Sequence, residues 1–85
     1  MNKNRKPLRV LLKPEAARWL RKCDPTIRRR IESSLLGLGD DPIPSGAKRL
    51  VGESAFRIRV GDYRIVYEIR PDQLLVLIVS IGHRR

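Results

Sequence analysis

The sequence is poor in the residues on which most small enzymes and secreted domains rely. Cys23 is its only cysteine, so no intrachain disulfide can form, and a zinc site drawn from Cys23, His83 and scattered carboxylates has no ligand-like spacing. Cys23 itself reads as a small, partly buried residue near a helix end. No long apolar run exists either: Leu8-Arg9-Val10-Leu11-Leu12 stops at Lys13. That is too short and too interrupted for a secretion signal or a membrane span, although the preceding residues are basic. A cytoplasmic protein with no membrane partner is expected. A carboxylate pair, a Ser-His-Asp order and a glycine-rich phosphate loop are all missing, which removes the common hydrolase readings and implies no cofactor and no metal. Internal repeats and low-complexity tracts are absent too.

Acidic residues are also scarce, 9 against 19 lysines and arginines, for a net charge of +10 on 85 residues. A chain of this length holds one small core, so residues 1–85 are expected to form one domain, with 1–7 a loose basic arm that ends at Pro7. Charge of one sign at this density calls for a polyanionic partner, because the field raises the local concentration of nucleic acid, anionic membrane or acidic protein.

The apolar pattern predicts an α+β fold with the order β-α-α-β-β-β, an N-terminal helical hairpin on a small, mainly antiparallel sheet. Leu8 to Leu12 reads as a first strand. Pro14 suits the first turn of a helix, and Glu15 complements its dipole; Ala16, Ala17, Trp19 and Leu20 form the apolar stripe of a helix reaching about Lys22. Trp19 is expected to anchor the core. Asp24-Pro25 restarts a second helix to about Leu38, with Ile27, Ile31, Leu35 and Leu38 at helical spacing. Gly37 and Gly39 read as stop residues for that helix. Arg28, Arg29 and Arg30 spread too far round it to share one solvated side. Residues 40–55 carry no period and read as a long loop in which Leu50 or Val51 packs under the helices while Lys48 and Arg49 extend a basic face. Leu74 to Ile81, apolar on both sides, reads as the central strand with cover on both faces and the first strand beside it.

Between these lies Phe56-Arg57-Ile58-Arg59-Val60-Gly61-Asp62-Tyr63-Arg64-Ile65-Val66-Tyr67, a hairpin in which apolar residues alternate with arginines. Successive side chains of a strand point to opposite faces, so Arg57 and Arg59 share a face opposite Phe56, Ile58 and Val60. Gly61-Asp62 suits a two-residue II′ turn. That register sets Arg59 opposite Arg64, a like-charge pair that costs a few tenths of a kcal/mol to about 1. The cluster Arg57, Arg59 and Arg64 therefore reads as an anion site; the alternative is a solvated basic face. Such guanidinium groups can hold a phosphate and stabilise the added charge when RNA is cut by its own 2′-hydroxyl, a reaction that needs no metal. Arginines make poor bases, and His83 is the side chain whose ordinary pKa suits proton transfer near neutrality.

The order of elements and the residues themselves resemble the RelE toxins of the RelE/ParE toxin–antitoxin superfamily. The likeness runs through the Trp19 helix, the basic second helix, Gly46-Ala47-Lys48-Arg49-Leu50, the arginine hairpin, and Val79-Ser80-Ile81-Gly82-His83-Arg84. It implies a type II toxin that acts as a ribosome-dependent mRNA endoribonuclease, an mRNA interferase that inhibits translation, neutralised by a cognate acidic antitoxin. Its partners would be the ribosome and mRNA. Carried over by position, Arg57 and Arg59 grip phosphate, Arg64 stabilises the transition state, and Arg84 serves charge stabilisation or protonation of the leaving group. His83 stands where relatives carry a basic residue, and Lys48 and Arg49 would contact RNA. Many RelE members continue to a tyrosine implicated as the base, whereas this chain stops at Arg85; His83 or another group would substitute, or the nuclease would be weakened. The ParE branch, which inhibits DNA gyrase without cutting RNA, shares the fold, so the fold does not separate the two activities.

Overall fold

Two prolines start the two helices: α1 covers Pro14–Lys22 and α2 covers Pro25–Asp40 in a computed structural model that describes residues 7–50 and 54–83. Asp24 caps α2, its side chain accepting from the Thr26 backbone N–H at 2.8 Å, which satisfies one of the donors a helix start leaves free. The connection between the helices is stapled from the other side by Arg28. Its guanidinium donates to the carbonyls of Leu20 at 3.0 Å and Arg21 at 2.8 Å, and more weakly to that of Cys23 at 3.5 Å. Those are orphan acceptors at the end of α1, so one of the three consecutive arginines is consumed by structure. Arg29 and Arg30 stay exposed.

The second helix runs past Leu38, through both glycines expected to end it. Gly39 serves a close approach instead. Its carbonyl accepts from Leu8 N–H at 2.8 Å, and a Cβ on Gly39 would lie 2.6 Å from the Leu8 carbonyl oxygen. Only a residue without a side chain lets the chain enter the first strand against this turn of helix.

Five strands form one sheet in the order β1-β5-β4-β3-β2: β1 Arg9–Leu12, β2 Lys48–Arg49, β3 Ala55–Val60, β4 Tyr63–Arg70 and β5 Leu75–His83. The β1–β5 pair is parallel and the rest antiparallel. This is the expected α+β arrangement with one strand more. The two-residue β2 lies in the stretch read as loop, since so short a strand has no period to detect. Leu50 is half-buried; Val51 lies outside the described residues.

Both helices pack on one face of the sheet. Ala16 and Leu20 of α1 and Ile31, Leu35 and Leu38 of α2 meet Phe56, Ile58, Ile65, Tyr67, Val76, Ile78 and Ile81 in a single buried cluster. A bulge in β5 makes this possible: Val66 pairs with Ser80 but Tyr67 with Ile78, so Val79 is the extra residue. Without it Ile78 and Ile81, an odd number of residues apart, would point to opposite faces. The other face of β5 has no helix over it among the described residues, contrary to the cover expected from its apolar run. Leu77 and Val79 are half-buried there, and Leu11 of the neighbouring β1 is 46% exposed. No helix among the described residues is long and apolar enough to cross a membrane.

Tyr67 ties the loop after α2 to the core. Its ring is fully buried and stacked 5.8 Å from Phe56, and its hydroxyl donates to the Pro42 carbonyl at 2.7 Å. Burial, aided by the nearby Asp41 carboxylate, pushes its pKa up to about 12. The unfolded chain releases this proton near pH 10 and the folded chain holds it to about 12, so the contribution is intact below pH 10 and is lost as pH rises through that window. Tyr67→Phe should lower the unfolding free energy by about 1–2 kcal/mol at neutral pH. It should also remove the part of the alkaline destabilisation that belongs to this group. Urea denaturation of both proteins at pH 9 and pH 11.5 checks this: parallel losses in the two would mean the hydroxyl is not held neutral.

Candidate functional site

The face of the sheet away from the helices collects cations because of how the β3–β4 hairpin is registered. Gly61 takes a left-handed φ of +59°, the geometry a two-residue primed turn requires and that other residues adopt at a cost. From that turn Val60 pairs with Tyr63, Arg59 with Arg64, Ile58 with Ile65 and Arg57 with Val66. Every second pair points inward. Lys48 of β2 pairs with Arg57, so two adjacent outward rungs read Lys48–Arg57–Val66–Ser80 and Arg59–Arg64–Gly82. Each rung sets two like charges side by side.

Among the described residues no carboxylate forms an ion pair with them. The ion pair found among the described residues joins Arg70 to Glu68 at 2.8 Å, further along β4. Arg57 and Arg64 are half-buried while Lys48 and Arg59 are exposed. Beside Arg64, Gly82 presents no side chain, and a Cβ there would meet nothing within 4 Å. The surface next to the Arg59–Arg64 pair is thus open to a ligand. Flanking it are the half-buried Val66 and Leu77 and the exposed Leu11, an apolar margin in which Leu77 belongs to the strand expected to be covered on both faces.

The other candidate residues are distributed differently. Arg49 points to the opposite side, its guanidinium carbon 5.6 Å from the ring centre of Phe56, so only Lys48 of the Lys48-Arg49 pair joins the cluster. His83 pairs with Tyr63 across β4 and β5, and its ring centre lies 4.9 Å from that of Tyr63. It therefore stands on the helix side, back to back with the arginines, because Gly82 takes the outward position opposite Arg64. Tyr63 and Tyr67 point inward, as alternation predicts. Arg84 lies outside the described residues. No group of three or more metal-binding side chains occurs among the described residues.

A ladder of like charges side by side is a stability cost that salt should relieve. Arg59→Ser should raise the unfolding free energy at low ionic strength by a few tenths to about 1 kcal/mol, with the gain shrinking towards zero near 1 M salt. Denaturation curves at two salt concentrations decide it; a loss of stability on substitution would mean that Arg59 is held by structural contacts.

Comparison with known proteins bears on the fold and the family. A search of curated protein sequences finds no match. Among solved structures, the toxin–antitoxin complex RelBE2 from Mycobacterium tuberculosis contains a chain 29% identical, with a TM-score of 0.82 over 98% of both chains. The RelBE complex of E. coli superposes with a TM-score of 0.81 at 20% identity, over 92% of this chain and 98% of that one. The RelE–RelB complex of Pyrococcus horikoshii does so with 0.78 at 21%, over 92% and 96%; these two establish the shared fold. The family model described as the ParE toxin of type II toxin–antitoxin systems matches residues 10–85. With nearly its whole length matched by that model, the chain belongs to the ParE toxin family, within the RelE/ParE superfamily of type II toxin–antitoxin toxins.

Proposed function

We propose that this toxin is a ribosome-dependent mRNA endoribonuclease. The observation that carries the reading is the pair of outward rungs on which Lys48, Arg57, Arg59 and Arg64 stand together, without an ion pair among the described residues. Phosphate bound there would supply the opposite charge. In the reaction, the 2′-hydroxyl gives up its proton to water as its oxygen attacks the adjacent phosphorus, the bond to the 5′-oxygen breaks with that oxygen taking up a proton, and a 2′,3′-cyclic phosphate remains on the upstream piece. The phosphorane between these states carries one charge more than the diester, and Arg59 and Arg64 on one rung are set to stabilise it, with Arg57 and Lys48 gripping the neighbouring phosphate. Arg84, two residues beyond the Gly82 that pairs with Arg64, is assigned to the leaving oxygen.

Guanidinium groups do not take up the 2′-proton, and the strand residues of this face offer no unpaired carboxylate or histidine to do so. His83, on the helix side of the sheet, does not face the arginine rungs. A site rich in charge stabilisers and poor in bases gains most from a partner that holds the 2′-hydroxyl in line with the leaving oxygen. Message fixed on the ribosome would supply that orientation, which gives the ribosome dependence a physical reason. The working location is then the cytoplasm.

The toxin is also expected to pair with a cognate antitoxin, since the mycobacterial structure is a toxin–antitoxin complex, and the charge of this face calls for an acidic one. An acidic segment folding on this face would meet the cations with carboxylates and the apolar margin of Leu11, Val66 and Leu77 with its own apolar side chains. The match to the ParE family model favours a second reading, inhibition of DNA gyrase without RNA cleavage.

Primer extension on a defined mRNA in a reconstituted translation system separates the two. The nuclease reading expects new 5′ ends inside codons that require the ribosome and fall at least about a hundredfold in an Arg64→Ala, Arg84→Ala double variant, the order of effect for losing transition-state charge stabilisers. Intact message together with cleaved or relaxed plasmid in a gyrase assay would transfer the function to the second reading.

A further inference from the structure

Behind the arginine rungs, on the helix side of the same sheet end, lies an open groove of about 290 Å³ whose walls include Trp19, Tyr63, His83, Ile27, Cys23 and Lys22. Three of these are aromatic rings in contact. Trp19 meets Tyr63 edge to face with centres 5.6 Å apart, and Tyr63 meets His83 at 4.9 Å. Trp19 and Tyr63 are only half-buried and His83 is exposed, so the ring faces are reachable from solvent. Ile27 and Cys23 supply an apolar floor. At the rim, Lys22 offers an ammonium and Asp24 a carboxylate, of which one oxygen accepts from the Thr26 N–H.

The groove and the cation face occupy the same rungs of the sheet. Tyr63 and Arg64 are neighbours in β4, and His83 and Gly82 in β5, with opposite faces assigned by alternation. The Gly61-Asp62 turn closes the sheet between them, and Arg30 of α2 reaches over it: a Cβ on Gly61 would lie 3.0 Å from an Arg30 nitrogen. A polyanion can run from Arg59 and Arg64 round the outer side of the turn, past the exposed Asp62 and along the Arg30 guanidinium that packs on Gly61, to reach Lys22. On this basis, and resting on the RNA reading above, we infer that the Trp19–Tyr63–His83 groove is a base-stacking subsite. It receives one unpaired nucleobase of an RNA whose phosphates lie on Lys48, Arg57, Arg59 and Arg64. Stacking suits the ring faces, and an exocyclic amino group can donate to Asp24. The basic approach selects the nucleic acid over a neutral apolar ligand, and the groove's volume, at the small end for ligand pockets, suits one planar heterocycle.

Trp19 is the only tryptophan of the chain, so its emission reports on the groove directly. The full chain would be titrated with a short single-stranded RNA carrying 2′-O-methyl groups, which prevent self-cleavage, and with the same backbone lacking its bases. The base-bearing strand should quench Trp19 and bind about fivefold or more tighter than the abasic one. Tyr63→Leu and His83→Ala should bring the two affinities together without changing abasic binding; His83→Ala, at an exposed strand end, keeps the comparison valid if Tyr63→Leu does not fold. Equal affinities in the wild type, unchanged preference in His83→Ala, or the same quenching by polyglutamate would overturn the subsite while leaving phosphate binding intact. If neither strand binds at low salt, the subsite falls, while ribosome-dependent cleavage in the primer-extension assay still decides the RNA reading by itself.

Discussion

The register of the β3–β4 hairpin is the constraint on which both halves of this molecule depend. Starting from Gly61, it sends Ile58, Ile65 and Tyr67 under the helices and Arg57, Arg59 and Arg64 to the open face in the same step. A slip of one residue would put guanidinium groups in the core and the apolar set in water. The large desolvation cost of that alternative is what holds the arginines together outside. Core and cation face are thus one feature seen from two sides, and the repulsion between Arg59 and Arg64 is tolerated because the inward residues decide the pairing.

Around that hairpin the remaining contacts serve to hold a thin two-layer structure closed. Tyr67 reaches through the core to the Pro42 carbonyl, Arg28 closes the connection between the helices, and Gly39 lets the first strand enter beside α2. Each places a polar group or a missing side chain where the backbone would otherwise be unsatisfied or blocked. A small core leaves little margin, so such fastenings matter more here than in a larger domain. The bulge at Val79 belongs with them: it lets the last strand bury residues along its whole length while turning Gly82 towards Arg64 and His83 towards Tyr63.

The cation cluster and the aromatic groove are separated by the thickness of the sheet. Clustered cations on one face favour an anion, while aromatic rings at the same strand ends favour a planar group. An acidic protein would compete for the first surface and gain from the apolar margin beside it. Occupation of the same cations by RNA and by an antitoxin would make neutralisation a matter of direct exclusion.

Most of the architecture was legible in the sequence because it rests on local periodicity. Alternation along Phe56 to Tyr67, the prolines opening both helices and the helical spacing from Ile27 to Leu38 are properties of short windows, and they carry the element order, the arginine face and the inward tyrosines. Other features were legible only in three dimensions. Gly39 passes for a helix stop until Leu8 arrives against it, and β2 is too short to have a pattern. Arg49 leaves its neighbour's face for Phe56 because adjacent strand residues point apart, and His83 parts from the arginines because the Val79 bulge resets the parity of β5. The sequence by itself determined which residues alternate and how much positive charge the surface must carry, since both follow from covalent order. Which of those residues meet was decided by the tertiary structure alone, because pairing register, bulge position and close approach depend on parts of the chain far apart in sequence.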